Sequence, residues 1–170
     1  MRKPSADVVL RTARLTLVPM TALDEAEHAR ASESPTDAIR DVHASETQWR
    51  EHGFGPWAIR DRRDDSFIGG AELHFAGGGI DGIAPDEIEA GWWVTKARRD
   101  AGIATEAMLA AIDDFWSRTD FETIAAYIGG ENEPSRRVAA KLGFVVRGAG
   151  HGRSGEPMTV YELRRTPSKM

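Results

Sequence analysis

Hydrophobic and polar positions follow two different periods along this chain, and the points where the period changes divide it into elements. Leu15 to Val18 reads as a short strand ended by Pro19. The stretch Thr21 to Ser32 opens on a threonine cap, is rich in Ala and Glu, and predicts a helix; a second helix is predicted between Pro35 and His52. The period then becomes two. Pro56 to Asp61, around Trp57 and Ile59, and Ser66 to Phe75 alternate as neighbouring antiparallel strands joined through Asp61-Arg62-Arg63-Asp64-Asp65. A glycine-rich connection over 76–86 leads to a third strand, Glu87 to Val94, which completes a meander.

Beyond it, Ile103, Ala104, Ala107, Met108, Ala111, Ile112, Phe115 and Trp116 recur at three- and four-residue spacing, the signature of a helix with one apolar face. Thr123 to Ile128 is again strand-like. A strand, a helix and a strand in succession imply a parallel pair with a right-handed crossover. Asn132 to Leu142 predicts a further helix stopped by Gly143, and Phe144 to Gly148 and Met158 to Arg165 close the chain as strands. The expected fold is α/β, a mixed sheet that is antiparallel at its start, has a parallel pair at its centre and carries helices on both faces.

Composition narrows the function classes. At 170 residues the chain has a normal length for one domain, and no repeat or Pro/Gly/Ser linker divides it, so residues 1–170 are expected to form a single domain. With 41% hydrophobic and 29% charged residues it is neither disordered nor membrane-like. Charges recur through the first fifteen residues before an apolar signal segment forms, which predicts a cytoplasmic protein. There is no cysteine, so a cysteinyl intermediate, a zinc-thiolate site and a disulfide framework are all excluded. The net charge of −5 disfavours an extended nucleic-acid footprint and suits a cationic partner such as an amine. The five histidines lack metal-ligand spacing, and no metal is expected.

Two glycine-bearing segments are candidate phosphate cradles. Gly77, Gly79 and Gly82 match G-x-G-x-x-G, but Pro85 and an alternating strand follow where a dinucleotide fold needs a helix to begin, so this segment reads as a hairpin connection. Arg99-Asp100-Ala101-Gly102-Ile103-Ala104 does lie between a strand and a helix. The first N–H groups of a helix have no internal partner, and with the helix dipole they form an anion site. Gly102 gives backbone clearance, Ala104 keeps bulk away, and Arg98 or Arg99 can add charge-assisted bonds. No lysine follows Gly102, which disfavours a nucleoside triphosphate. An ordinary helix start with small residues packed on the sheet fits the same spacing.

These residues carry a resemblance to the GNAT superfamily of acyl-CoA-dependent N-acyltransferases, and within it to the ribosomal-protein N-terminal-alanine acetyltransferase type. Arg99-x-x-Gly102-x-Ala104, followed by Thr105-Glu106-Ala107, resembles the family's [QR]-x-x-G-x-[GA] motif. Glu89-Ala90-Gly91-Trp92-Trp93-Val94 is similar to its E-x-G-[YW]-x-[LV] strand, and Asn132 to Phe144 is similar to its N-x-x-S-x-x-V-x-x-K-L-G-F helix. Leu10-Arg11-Thr12-Ala13-Arg14-Leu15 resembles its L-x-[ST]-x-R-L start. The blocks span nearly the whole chain in the family's order.

The resemblance implies that the strands at Glu89 and Thr123 splay into a cleft for acetyl-CoA. The diphosphate would lie on the loop Arg98, Arg99, Ala101, Gly102, Ile103, Ala104 and Thr105, and the pantetheine arm along Trp92, Trp93 and Val94, with Asn132 and Ser135 holding it further on. Transfer to an amine needs a neutral nucleophile, so a carboxylate acting directly or through water would assist. Glu87 and Glu89 share one strand face. Glu89 is the candidate base, or it binds the acceptor's cation or ordered water. A backbone N–H near Trp93 or Val94 is the natural oxyanion donor. Where many members have a tyrosine acid this chain has Ala139, which leaves Ser135 or Tyr127 to donate to the leaving thiolate, or no acid at all. Asn132 and Ser135 also suit a plain helix cap. The charged turn Arg60 to Asp65 reads as solvated, and one of Trp92 and Trp93 as core.

The expected activity is acetyl transfer from acetyl-CoA to a primary amine, on a protein N-terminus or a small amino compound, by direct attack in a ternary complex. A non-catalytic acyl-CoA-binding module would keep the loop without needing Glu89. No nucleic-acid or membrane partner is expected, and the chain is a monomer or a homodimer paired through an exposed edge strand.

Overall fold

The computed structural model describes residues 8–31 and 35–167, and of residues 35–41 the course of the backbone alone. Its elements run β1 (Leu10–Arg11), β2 (Leu15–Pro19), α1 (Glu25–Ala31), α2 (Pro35–His52), β3 (Trp57–Asp61), β4 (Phe67–Phe75), β5 (Ile88–Val94), α3 (Ile103–Arg118), β6 (Thr123–Gly129), α4 (Glu133–Leu142), β7 (Val145–His151) and β8 (Pro157–Arg164). The strands form one sheet in the order β1-β2-β3-β4-β5-β6-β8-β7. The pairings β1 to β2, β2 to β3 and β3 to β4 are antiparallel, and so are β6 to β8 and β8 to β7. Among the described strands β5 pairs with β6 in parallel, in register at Glu89 and Ala125. This is the mixed sheet with a parallel pair that the strand, helix and strand pattern predicted.

Packing gathers the chain into two compact units, and each is discontinuous in sequence. One holds residues up to His74 together with Gly91–Phe115; the other holds Phe75–Ala90 with Trp116 onward. Because the chain passes back and forth between them inside β4, β5 and α3, no linker marks their boundary in the sequence.

In the first unit Met20, Val42, Ala58 and Phe67 form a buried cluster, with Val18, Ala31 and Trp93 packed against it. The predicted apolar face of α3 is there: Ile103, Ala107, Met108, Ala111, Ile112 and Phe115 are buried. Phe115 meets Phe54 edge to face at 5.0 Å between ring centres. Burying such a side chain stabilises by about 1.5–3 kcal/mol. Thr21 caps the predicted helix: a 3-10 turn over Ala22–Asp24 leads directly into α1, and the Thr21 backbone N–H donates to the Asp24 carboxylate at 2.9 Å. The end predicted at Ser32 lies outside the described residues.

In the second unit Ala76, Ile80, Ile83, Ala125 and Val160 form the core, with Tyr127 packed against them. The connection over 76–86 closes as a hairpin, with the Ala76 N–H donating to Glu87 and the Gly77 N–H to Pro85. No helix starts there. Helix α4 begins at its Asn132 cap and ends on Gly143 in the left-handed region at φ 93°.

Candidate functional site

The segment that joins β5 to α3 lies in the first unit. Its geometry is that of an open helix start. The first intrahelical bond runs from the Glu106 N–H to the Gly102 carbonyl at 3.1 Å. The amides of Ile103, Ala104 and Thr105 therefore precede every carbonyl the helix can offer them. Gly102 has φ 74° and Asp100 φ 62°, so the backbone enters α3 through two left-handed residues with Ala101 between them. Ala101 and Gly102 are exposed. A Cβ on Gly102 would meet only the Arg14 guanidinium, at 3.5 Å. Small residues, open space and unspent amides at a dipole's positive end suit a diphosphate.

The two arginines of the loop differ. Arg98 donates to the Asp61 carboxylate at 2.7 Å, so it is engaged with the β3 end. Arg99 is exposed, with its Nε donating to the Val94 carbonyl at 3.2 Å. The expectation that residues 60–65 are solvated holds for Arg62 to Asp65, which are exposed, and is corrected at Arg60 and Asp61. Asp61 is buried and carries bonds from Arg63 and Arg98, which hold its carboxyl well below the usual carboxylate range. Arg60 donates to Asp24 at 2.5 Å.

Upstream, Trp93 is fixed by its neighbours. Its indole lies 4.9 Å from the buried His28 ring and 5.7 Å from Phe67. Gly70 makes room for it, since a Cβ there would stand 2.5 Å from the indole nitrogen. Gly69 likewise lies against the Trp93 carbonyl. Gly91, on the same strand, lies against the Glu72 carboxylate. Trp93, itself half-buried, thus packs against the core cluster, and the Trp93 to Val94 backbone is held on β4 through the Thr95 N–H, which donates to Ile68 at 2.9 Å.

The candidate base lies in the second unit. Glu89 is only 6% exposed, and the Arg153 guanidinium stands 3.7 Å from its carboxylate. Arg153 also donates to the Tyr127 hydroxyl and to the Ala76 carbonyl, each at 2.9 Å. The loop between β7 and β8 thereby brings a cation to two of the sequence candidates at once. Glu87, the other carboxylate of that face, is committed to Arg147 at 2.6 Å. At the start of α4 the Asn132 side chain accepts from the Ser135 N–H at 3.2 Å, so the capping role is real and uses the serine's backbone. Ala139, at the usual tyrosine position, is fully buried.

The sequence singled out the loop, Glu89, Asn132 and Ser135 as candidates but gave no sign of the contacts that Arg153, Arg14, His28 and the glycine pair of β4 make around them. Arg14 and the glycines were visible as residue types, yet their partners are far along the chain and no local spacing announces them. Among the described residues no group of three metal-ligating side chains occurs, and no helix is long and apolar enough to cross a membrane.

Comparison with known proteins agrees with this geometry. The family model described as acetyltransferase (GNAT) domain matches residues 9–145. A GnaT-family acetyltransferase from Bordetella pertussis is 25% identical, with 91% of this chain and 98% of that one covered and a TM-score of 0.79. The ribosomal-protein-S5-alanine acetyltransferase of Vibrio fischeri shares the fold at 16% identity, with 96% and 100% covered and a TM-score of 0.74. Mycobacterium smegmatis RimJ, solved in complex with CoA-disulfide, does so at 21% identity, with 97% and 90% covered and a TM-score of 0.75. A comparison with curated proteins found no match. With a family model that spans most of its length and a fold to match, this chain belongs to the GNAT family and is an acyl-CoA-dependent acetyltransferase.

Proposed function

We propose that the chain is an N-acetyltransferase whose acceptor is a primary amine, on a protein N-terminus or a small amino compound, and that the amine attacks directly in a ternary complex. The observation that carries this reading is the open start of α3, whose first amides have no helix carbonyl to meet. Acetyl-CoA would supply an acetyl thioester, an acyl group already activated toward amines. The amides of Ile103, Ala104 and Thr105, with Ala101, Gly102 and the Arg99 side chain, would hold its diphosphate, and Arg98 would steady the loop from Asp61. Trp92, Trp93 and Val94 would line the pantetheine arm, with the backbone N–H at Trp93 or Val94 facing the developing oxyanion.

Glu89 takes the amine's proton, directly or through a water, because an ammonium has no lone pair with which to attack. Arg153 compensates the buried charge when the site holds no substrate. Ser135 donates to the departing thiolate; Tyr127, whose oxygen accepts from Arg153, is the other candidate donor. Asn132 caps α4 and so sets where Ser135 stands. Likeness in fold to ribosomal-protein acetyltransferases supports an N-terminal acceptor. The net charge of −5 suits a cationic one.

The test is thermal unfolding during titration with acetyl-CoA, with ATP and NADH as controls. A ligand at 100 times its dissociation constant adds ~2.7 kcal/mol. A saturable rise in Tm with acetyl-CoA alone is expected. An unchanged Tm at millimolar acetyl-CoA would reduce the loop to an ordinary helix start.

A further inference from the structure

One set of bonds at the α3 start has no place in the motif that identified it. Glu106, in the first turn, accepts from the Thr12 hydroxyl at 2.7 Å, from the Arg14 backbone N–H at 3.0 Å and from the Arg14 Nε at 2.7 Å. The same guanidinium turns its Nη1 to the Ala101 carbonyl at 2.8 Å. The turn that carries Thr12 and Arg14 is itself anchored: Arg62 donates from its side chain to the Thr12 carbonyl and from its backbone to the Arg14 carbonyl, and the Leu15 N–H donates to the Thr12 hydroxyl.

Two consequences follow for an anion at this helix start. A carboxylate in the first turn suits the helix dipole but repels an incoming phosphate. Three donors on the Thr12–Arg14 side neutralise the Glu106 carboxylate and hold it there. The second consequence is geometric. In a trans peptide the carbonyl and the following N–H point in opposite directions, and no peptide bond of the described chain is cis. By drawing the Ala101 carbonyl toward itself, the Arg14 fork turns the Gly102 N–H the other way. The loop could otherwise rotate that peptide, since glycine adopts positive and negative φ with similar ease and Gly102 is held at φ 74°.

We propose that Arg14 is a positioning residue for the donor site: clamped by Glu106, its guanidinium sets the Ala101–Gly102 peptide so that the loop presents its amides to the diphosphate of acetyl-CoA. This rests on the donor reading given under Proposed function. Arg14 acts through the peptide and not as a ligand. A lysine, a single point charge on a flexible stem, cannot bridge Glu106 and the Ala101 carbonyl with one planar fork.

The experiment measures dissociation constants by calorimetry for acetyl-CoA and for S-acetyl-pantetheine, which lacks the diphosphate, with wild type, Arg14→Gln and Arg14→Lys. Both variants should weaken acetyl-CoA by about tenfold, the scale of one charge-assisted bond, and leave S-acetyl-pantetheine unchanged. Wild-type affinity in Arg14→Lys would overturn the proposal, since charge alone would then suffice. Equal weakening of both ligands would overturn it too, as a general effect on the fold. If wild type binds both ligands equally, the donor reading of the loop fails, and the brace with it. Should Arg14→Gln not fold, Thr12→Val removes one bond to Glu106 and should shift acetyl-CoA affinity alone, in the same direction and by less.

Discussion

Glu89 illustrates how much one residue's surroundings decide. The sequence placed it on a strand face, and the structure buries it at 6% exposure with Arg153 at 3.7 Å. A buried carboxylate with a cation in reach is placed to exchange a proton or to meet an ammonium. Glu89→Gln keeps the shape and removes the charge. Turnover should fall by about 10²–10⁴ while acetyl-CoA affinity is retained. Steady-state rates paired with calorimetric binding check it, and unchanged turnover would remove Glu89 from the chemistry. Arg153 was not legible, because nothing in the sequence near Glu89 or Tyr127 refers to a loop after β7.

At the scale of elements, β4 and β5 depend on a close approach at Trp93. The sequence predicts the strand from Ser66 to Phe75 but assigns no role to Gly69-Gly70; in the structure this pair is what lets the indole lie on β4. Gly70→Ala would place a methyl 2.5 Å from the Trp93 indole nitrogen, and His28 and Phe67 occupy the space on its other side. The strand or the ring must then shift, at about 1–3 kcal/mol. A lower urea midpoint at constant m is expected, read by tryptophan fluorescence, and an unchanged midpoint would show that the indole moves freely. The helices were more legible than this contact. The three- and four-residue spacing of α3 marks its buried face without reference to any other element, whereas the two-residue strand β1 is too short to show a period at all.

Across the whole molecule, several carboxylates are tied to cations brought in from distant segments. The Arg147 hydrogen bonds hold the Glu87 carboxyl below its ordinary value. Burial pushes Glu106 up, but its bonds from Thr12 and Arg14 outweigh this and the net direction is down. Asp61 lies lower still beside Arg63 and Arg98. Each of these groups binds fewer protons folded than unfolded in the acid range. Their stabilisation is therefore complete above the unfolded carboxylate values and is lost as pH falls through the folded ones. Tm should hold steady from neutral pH to about 5 and then decline. In Glu87→Gln the decline should be shallower; equal steepness would mean that this pair does not contribute.

By itself the sequence determined most of the elements and singled out the loop before α3, because both depend on short-range physics: side-chain period, glycine conformation and the unspent amides of a helix start. The order of the sheet's central parallel pair was also legible, since a strand, helix and strand succession admits one handed crossover. Only the tertiary structure decided which charges meet. Arg153 on Glu89, Arg14 on Glu106 and Ala101, and Arg98 on Asp61 each join segments that lie far apart along the chain. Arginine is long and usually exposed, so its partner is chosen by where the folded backbone carries it and not by what stands beside it in the sequence.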